Sequence, residues 1–511
     1  MEFSIGLWIS AMVPIVLLLF TISYLKIKST IAALLSLITA LIIAVINYKL
    51  TFGQLGIAVA KGASLSLYVI LIIMGAIFLY NVVKIVGAFE VIKDFMLGLS
   101  GDKLLQILAL AWAFSSFIQG ISGFGVPVAV IGSLMVGMGF DPLVALSAVL
   151  IGHSWSIGFG SMGSSFYALS LVTGLEPIRL GLVSTLLFYL PIIITGLSVA
   201  HLQGGVKAIK SSLKYILPIG LVMGTVQLGV VKLGFPHLAS LLGGLSGSLL
   251  FLILLNGNNK EKKRKNKNNE GMSIKLALLP YFILIGTALI SQVPLLENLL
   301  PEWSVGFSYP GFTTMLGYQV QPEEGYAVID FLSHPVTFLL LAGVLGIIIY
   351  LLKGFLVSRQ IKEILKTSYQ QGISSSLTVL LLMMMALVMN DSGMLYMFAQ
   401  GMIEVSSNYF PIISPFIGIL GAFLTGSTTS SNVLFGGVQI GVAELLELPP
   451  YLIAASQAVG ASLGSAVAPA KILLGVSTIG ALGLEGNILK ITLGYTLLSS
   501  LVVGVALYLI I

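Results

Sequence analysis

The sequence predicts an all-α polytopic membrane protein with two inverted-topology repeats, each carrying a re-entrant hairpin and a broken helix. Three observations carry that reading. Of 511 residues, 57% are hydrophobic and only 9% are charged, whereas a soluble domain carries about 25% charged residues. The apolar residues gather into runs of about 20, the length that crosses the hydrocarbon core as a helix. Two interruptions rich in Gly, Ser and Pro recur at matching places in the two halves. Together these exclude a soluble enzyme, a nucleic-acid binder and a disordered scaffold. The net charge of +6 does not argue for nucleic acid, because the basic residues sit between apolar runs and not with aromatics on one face. The chain has no cysteine, so disulfides and thiolate-bound metals are unavailable.

The first run, 5–24, follows Met1-Glu2-Phe3-Ser4 with no basic residue before it and is expected to be a retained span, not a signal peptide. Spans follow at 29–48 and 64–83. Residues 104–118 and 126–138 are two short apolar arms around Gln119-Gly120-Ile121-Ser122-Gly123-Phe124-Gly125-Val126-Pro127. That density of glycine and proline unwinds a helix, so 104–139 is expected to be a re-entrant hairpin. Residues 142–175 are expected to form one helix broken at Gly158–Ser165. Further spans fall at 178–200, 213–231, 235–256, 274–293, 333–352 and 372–390. The same order then returns: a hairpin over 411–447 turning at Thr425–Asn432, a helix over 451–483 broken at Gly464–Pro469, and a last span at 488–510. This makes about twelve spans and two hairpins.

Loop charge orients them. The loop 257–272 carries Lys260, Lys262, Lys263, Arg264, Lys265 and Lys267 and is expected in the cytoplasm. The loop 294–332 has no Lys or Arg and holds Glu297, Glu302, Glu323, Glu324 and Asp330, so it is expected outside. Lys26 and Lys28, Lys207 and Lys210, and the basic stretch 353–371 then all fall inside, and both termini outside. The first hairpin enters from the cytoplasm and the second from outside. The expected organisation is a first repeat over 1–200, linking spans and the basic loop over 201–273, and a second repeat over 274–511.

Paired broken helices are the sequence sign of a secondary transporter with its site at the bilayer midplane. The rival explanation is that Gly and Ser merely let helices pack closely. A broken helix presents unpaired N–H groups and a positive dipole end, which suit a carboxylate. The candidate substrate ligands are Ser122, Gly123 and Gly125 at the first tip, and His153 and Ser154 in the first broken helix. Ser427, Thr428, Thr429, Ser430, Ser431 and Asn432 at the second tip and Lys471 in the second broken helix complete the set. A lone Ser or Thr in a span more commonly bonds its own helix's carbonyl. His153 and Asp391 are the proton-coupling candidates. For His153 the alternative is a structural hydrogen bond. For Asp391 it is an interfacial cap, since Ser392-Gly393 follows, and for Lys471 a snorkelling side chain. His201, His237 and His334 lie at span ends and read as interface residues. No His-Glu-x-x-His motif occurs, no Gly-x-Gly-x-x-Gly opens a helix after a strand, and no gap holds a nucleotide-binding domain. No catalysis, metal or cofactor is expected.

From Gly123-Phe124-Gly125-Val126-Pro127-Val128-Ala129 onward the chain resembles the L-lactate permease family. The resemblance runs through His153–Gly163, Ser392-Gly393-Met394, Leu424–Gly436, Gly464–Pro469 and Gly480–Gly486, and so covers nearly the whole chain. Its most specific part is the Gly-Ser-x-Thr-Ser-Ser-Asn run at 426–432. The family usually carries Asp where this chain has Thr428, Lys where it has Ser465, and Asn-Thr or Asn-Ser where it has His153-Ser154. The resemblance implies transport of lactate or glycolate with protons. The expected function is secondary active transport of a small monocarboxylate, by proton symport and alternating access. Sodium coupling is the alternative, with Na⁺ held by Asn432 and nearby hydroxyls, and a channel or sensor is a third reading. The expected partners are the carboxylate, H⁺ or Na⁺ and the lipid bilayer. A homo-oligomer stays open.

Overall fold

The computed structural model describes residues 1–97, 102–123, 125–257, 271–291 and 303–511. Phe124, the basic run 260–267, Glu297 and Glu302 lie outside these residues. Ten helices among the described residues are long and apolar enough to cross a membrane.

The apolar helices α1 (Ile5–Ser23) and α2 (Ser29–Ile46) precede α3 (Phe52–Ile85), which is 34 residues long. At 1.5 Å per residue α3 reaches about 51 Å, well beyond the hydrocarbon thickness. It starts in a capping box: the Thr51 hydroxyl accepts from Gln54 N–H, and the Gln54 amide oxygen accepts from Thr51 N–H. The sequence places a span only over 64–83, so the helix begins about three turns earlier than expected. A short helix, α4 (Ala88–Leu97), follows where a loop is expected, too short to cross.

The first hairpin is α5 (Lys103–Ile121) and α6 (Val126–Gly137). Within α5, the stretch Leu108–Phe114 is π-helical. Between the two arms Gly123 (φ 59) and Gly125 (φ 81) take left-handed conformations that glycine adopts without steric cost. The broken helix follows as α7 (Pro142–Gly152), a 3-10 turn Ser154–Ile157, and α8 (Gly160–Thr173). Asp141 and Glu176 cap the N-termini before Pro142 and Pro177, the position where proline fits a helix. The helix Pro177–Lys232 breaks at Gly204 and Gly205. Gly196 abuts Ile216, Gly220 abuts Ile193 and Gly224 abuts Tyr189, so 177–203 (α9) and 206–232 (α10) pack antiparallel. The loop expected over 201–212 is therefore only a glycine hinge. The helix α11 (Ala239–Gly257) follows.

The second half holds α12 (Leu279–Ser291), α13 (Pro335–Leu352), the 34-residue α14 (Ser358–Asp391) and the short α15 (Met394–Ser406). Its hairpin is α16 (Phe410–Thr425) and α17 (Thr428–Leu445). Its broken helix is α18 (Pro450–Gly464), a 3-10 turn Ser465–Val467 and α19 (Pro469–Thr478), and α20 (Glu485–Ile510) ends the chain. Long helix, short helix, hairpin, broken helix and final span thus occur in the same order twice. The two long helices run antiparallel: Lys61 faces Asp391, Gly62 abuts Met384, Met74 abuts Gly372, and Asn81 donates to Ser368 and Gln371. Equivalent elements pointing in opposite directions are what inverted topology means.

Outside the apolar segments the fold is not wholly α. Four strands, β1 (Ser304–Tyr309), β2 (Phe312–Thr313), β3 (Gln319–Val320) and β4 (Glu323–Asp330), form nested antiparallel ribbons: β1 pairs with β4 and β2 with β3. Hydropathy reads this stretch only as a loop. The interior of the molecule is made by the broken helices: residues 145–170 and 453–468 are buried without exception. Apolar stripes on α1, α2, α13 and α20, such as Ile42, Leu345 and Leu501, stay exposed and suit lipid contact.

Candidate functional site

Because the broken helices sit in an apolar interior, every polar group they expose there needs a partner. Several find partners in each other. The Ser462 hydroxyl of α18 accepts from Gly158 N–H at 2.8 Å and lies 2.6 Å from the Ser154 carbonyl. The Asn432 amide of α17 donates to the Ser165 carbonyl at 2.9 Å. Gln457 links onward to Asn432 Oδ1 (3.3 Å) and Gln439. The second hairpin is thereby tied to both broken helices.

A cavity of about 490 Å³ lies where these elements converge. The first hairpin contributes Gln119, and the first broken helix Gly160, Ser161, Ser164 and Ser165. The second hairpin contributes the whole run Thr425–Ser430, and the second broken helix Ala470, Lys471 and Leu474. The cavity opens past Thr30 and Thr378 toward the exposed Lys28 and Ser374. Lys28 and Lys471 are the only charged side chains among its described walls. The N-terminus of α17 faces this space. Ser427 caps it by accepting from Ser430 N–H at 3.2 Å, and the amides of the first helical turn have no acceptor within the helix. Lys471 Nζ donates to Ser465 Oγ, so the ammonium turns inward, not toward a lipid interface. The arrangement offers hydroxyls, a helix N-terminus and one inner cation: the chemistry of a small-anion site.

The residues expected at the site divide. Ser427, Thr428, Thr429, Ser430 and Lys471 line the cavity. Ser122, Gly123, Gly125, His153, Ser154, Ser431 and Asn432 are not among its walls. Ser122 donates to Ile118 O and Ser154 to Ile151 O, the local back-bonding open to any buried hydroxyl, and Ser431 donates across the hairpin to Gly418 O of α16. Gly123 instead packs on Ser161, where a Cβ would lie 1.6 Å from the hydroxyl oxygen. His153 is fully buried, with Nδ1 on the Val149 carbonyl and Nε2 without a partner. Asp391 does not act as an interfacial cap. It is fully buried, and Lys61 Nζ lies 3.2 Å from Oδ2. His237 and His334 are buried too, against Tyr167 and Tyr68. Interface positions inferred from span ends fail for them because neighbouring helices cover those ends.

Lys61 and, in the cavity wall, Ser161, Ser164 and Ser165 are residues that sequence reasoning missed. A lone lysine in an apolar run was the available signal for Lys61. Ser161 (φ 49), in the cavity wall, and the buried Met162 (φ 54) behind it both hold left-handed backbone, a conformation that costs a non-glycine residue about 1–2 kcal/mol. Ser161→Gly should therefore raise thermal stability by about 1 kcal/mol, while Ser161→Ala should not. An equal melting temperature for all three proteins in detergent would show that no strain is stored there.

A profile of the L-lactate permease family matches residues 8–511. The L-lactate permease of Streptococcus iniae is 30% identical over 456 residues, covering 88% of this chain and 93% of that protein. The glycolate permease GlcA of Escherichia coli is 27% identical, covering 98% and 95%. Among solved structures, the YdaH transporter of Alcanivorax borkumensis aligns over 90% of this chain and 87% of its own, with 16% identity and a TM-score of 0.47.

Proposed function

The chain belongs to the L-lactate permease family, and from that premise we propose that it is a secondary transporter carrying lactate, glycolate or a similar small monocarboxylate with protons. The observation that carries the reading is the cavity: one inner ammonium, a helix N-terminus and the hydroxyl run Thr425–Ser430, with no carboxylate among its described walls. Lys471 reaches Ser465, the position where the family usually has its lysine. The same charge is delivered from six residues further on.

His153 is the proposed proton carrier. A carbonyl only accepts, so the contact with Val149 puts the ring hydrogen on Nδ1 and leaves neutral Nε2 as a bare lone pair. That atom is buried and has no partner. Asp391 is the weaker candidate, because Lys61 already balances it. Sodium coupling gains no support from Asn432, whose amide is engaged at both ends, by Ser165 and Gln457.

The organisation proposed is a first repeat over 1–200, linking spans over 201–273 and a second repeat over 274–511. The basic segment 257–272 is placed in the cytoplasm with both termini outside, and the cavity then opens inward. In alternating access, the hairpins and broken helices move against the remaining spans to open the other side. Proteoliposomes preloaded with unlabelled lactate should take up labelled lactate by counterflow, and an inward-acid pH gradient should drive accumulation. No counterflow with lactate, glycolate or other short carboxylates would overturn the substrate class. Accumulation driven only by Na⁺ would overturn the coupling.

A further inference from the structure

The cavity opens at one end of the molecule. At the other end, a lysine buried in α3 holds two carboxylates from different elements. Lys61 Nζ lies 2.8 Å from Glu323 of the β-ribbon and 3.2 Å from Asp391 of α14. Asp391 and the cavity-mouth residue Ser374 lie on the same helix, 17 positions or about 25 Å apart. The ribbon lies over this closed end through a few polar contacts. Tyr309 and Ser64 hydroxyls meet at 2.6 Å, Gln54 Nε2 donates to Thr313 O at 3.0 Å, and the Tyr326 ring sits 5.3 Å from Lys61 Nζ.

We propose that the β-ribbon 304–330 is a lid over the end of the transporter opposite the cavity mouth, and that Lys61 is its latch, exchanging Glu323 for water while Asp391 holds it. This rests on the reading of the chain as an alternating-access carrier, though not on its substrate.

The physical basis is the unequal burial of the two acids. The Asp391 side chain has no exposure, whereas that of Glu323 is 37% exposed. A buried ammonium left without a counter-ion is strongly unfavourable. When the ribbon lifts, Glu323 passes into water, and Lys61 with Asp391 remains a neutral buried pair. Asp391 is thus what lets the latch open without stranding a charge. Glu323 is the part that moves.

The two acids therefore have opposite effects, which a merely structural cluster would not show. In the cysteine-free chain, Thr429→Cys places a reporter in the cavity. A membrane-impermeant thiol reagent is applied from each face. With Glu323→Gln, labelling from the ribbon side should rise roughly fivefold, the scale of losing one partly exposed ion pair. With Asp391→Asn, ribbon-side labelling should fall below that of the parent. If Asp391→Asn does not fold, Lys61→Met combined with Asp391→Leu removes the latch without leaving a buried charge, and should raise labelling as Glu323→Gln does. A rise for both single substitutions indicates general loosening and overturns the proposal. No change in Glu323→Gln, or none in the double variant, overturns it as well. The assay needs no substrate, so a wrong substrate class and a wrong latch are separately visible.

Discussion

Lys471→Ala is expected to weaken carboxylate binding by about 1.5–3 kcal/mol, the range for a hydrogen bond to a charged group, which is roughly 10- to 150-fold in affinity. Lys471 shares the cavity wall with Ala470 and the Thr425–Ser430 run, and its ammonium is anchored by Ser465. Lys28, the other cation, is exposed at the mouth, where water screens it, so it does not replace the inner charge. Competition binding in detergent with lactate and glycolate measures the effect without requiring transport. Unchanged affinity would mean that the N-terminus of α17 and its hydroxyls hold the anion alone. The Ser465→Ala variant sharpens the test: it removes the anchor but keeps the charge, and should cost less than Lys471→Ala.

His153→Gln is expected to abolish accumulation driven by a pH gradient while substrate exchange persists. Exchange needs the cavity, which His153 does not line. Accumulation needs a group that takes up a proton with each anion, and the unpartnered Nε2 is suited to that. Charge balance supports the pairing. An empty carrier holds the Lys471 charge alone. A loaded one holds that charge, the substrate anion and a protonated His153, and so has the same net charge. The loaded and empty forms can then reorient alike. Glutamine can still donate to the Val149 carbonyl, so the substitution preserves the buried contact that the ring makes there. Normal proton-driven uptake in His153→Gln would pass the role to Asp391. In that event Asp391→Asn would lose accumulation as well as altering the lid.

Sequence alone determined the membrane class, the hairpins and the broken helices, because each rests on a local property. Apolar run length measures the bilayer, and clustered glycine and proline end helices wherever they fall. The left-handed Gly123 and Gly125 at the first hairpin tip and the break at Gly204-Gly205 are both glycine conformations of this kind, though hydropathy reads the second as a loop. The hydroxyl run 427–430 was legible as a polar cavity wall, since capping one helix needs only Ser427 and leaves the other hydroxyls of the tip without that use. Tertiary structure alone decided which polar groups face the cavity. Ser122, Ser154 and Ser431 have the same chemistry as Ser427 and Ser430, yet they turn to nearby carbonyls. Helix rotation sets that choice, and rotation depends on packing against segments hundreds of residues away. The same holds for Lys61, Glu323 and Asp391: a charge in an apolar run signals that a partner exists, but only the antiparallel docking of α3 on α14, with the ribbon across their ends, selects which acids balance it.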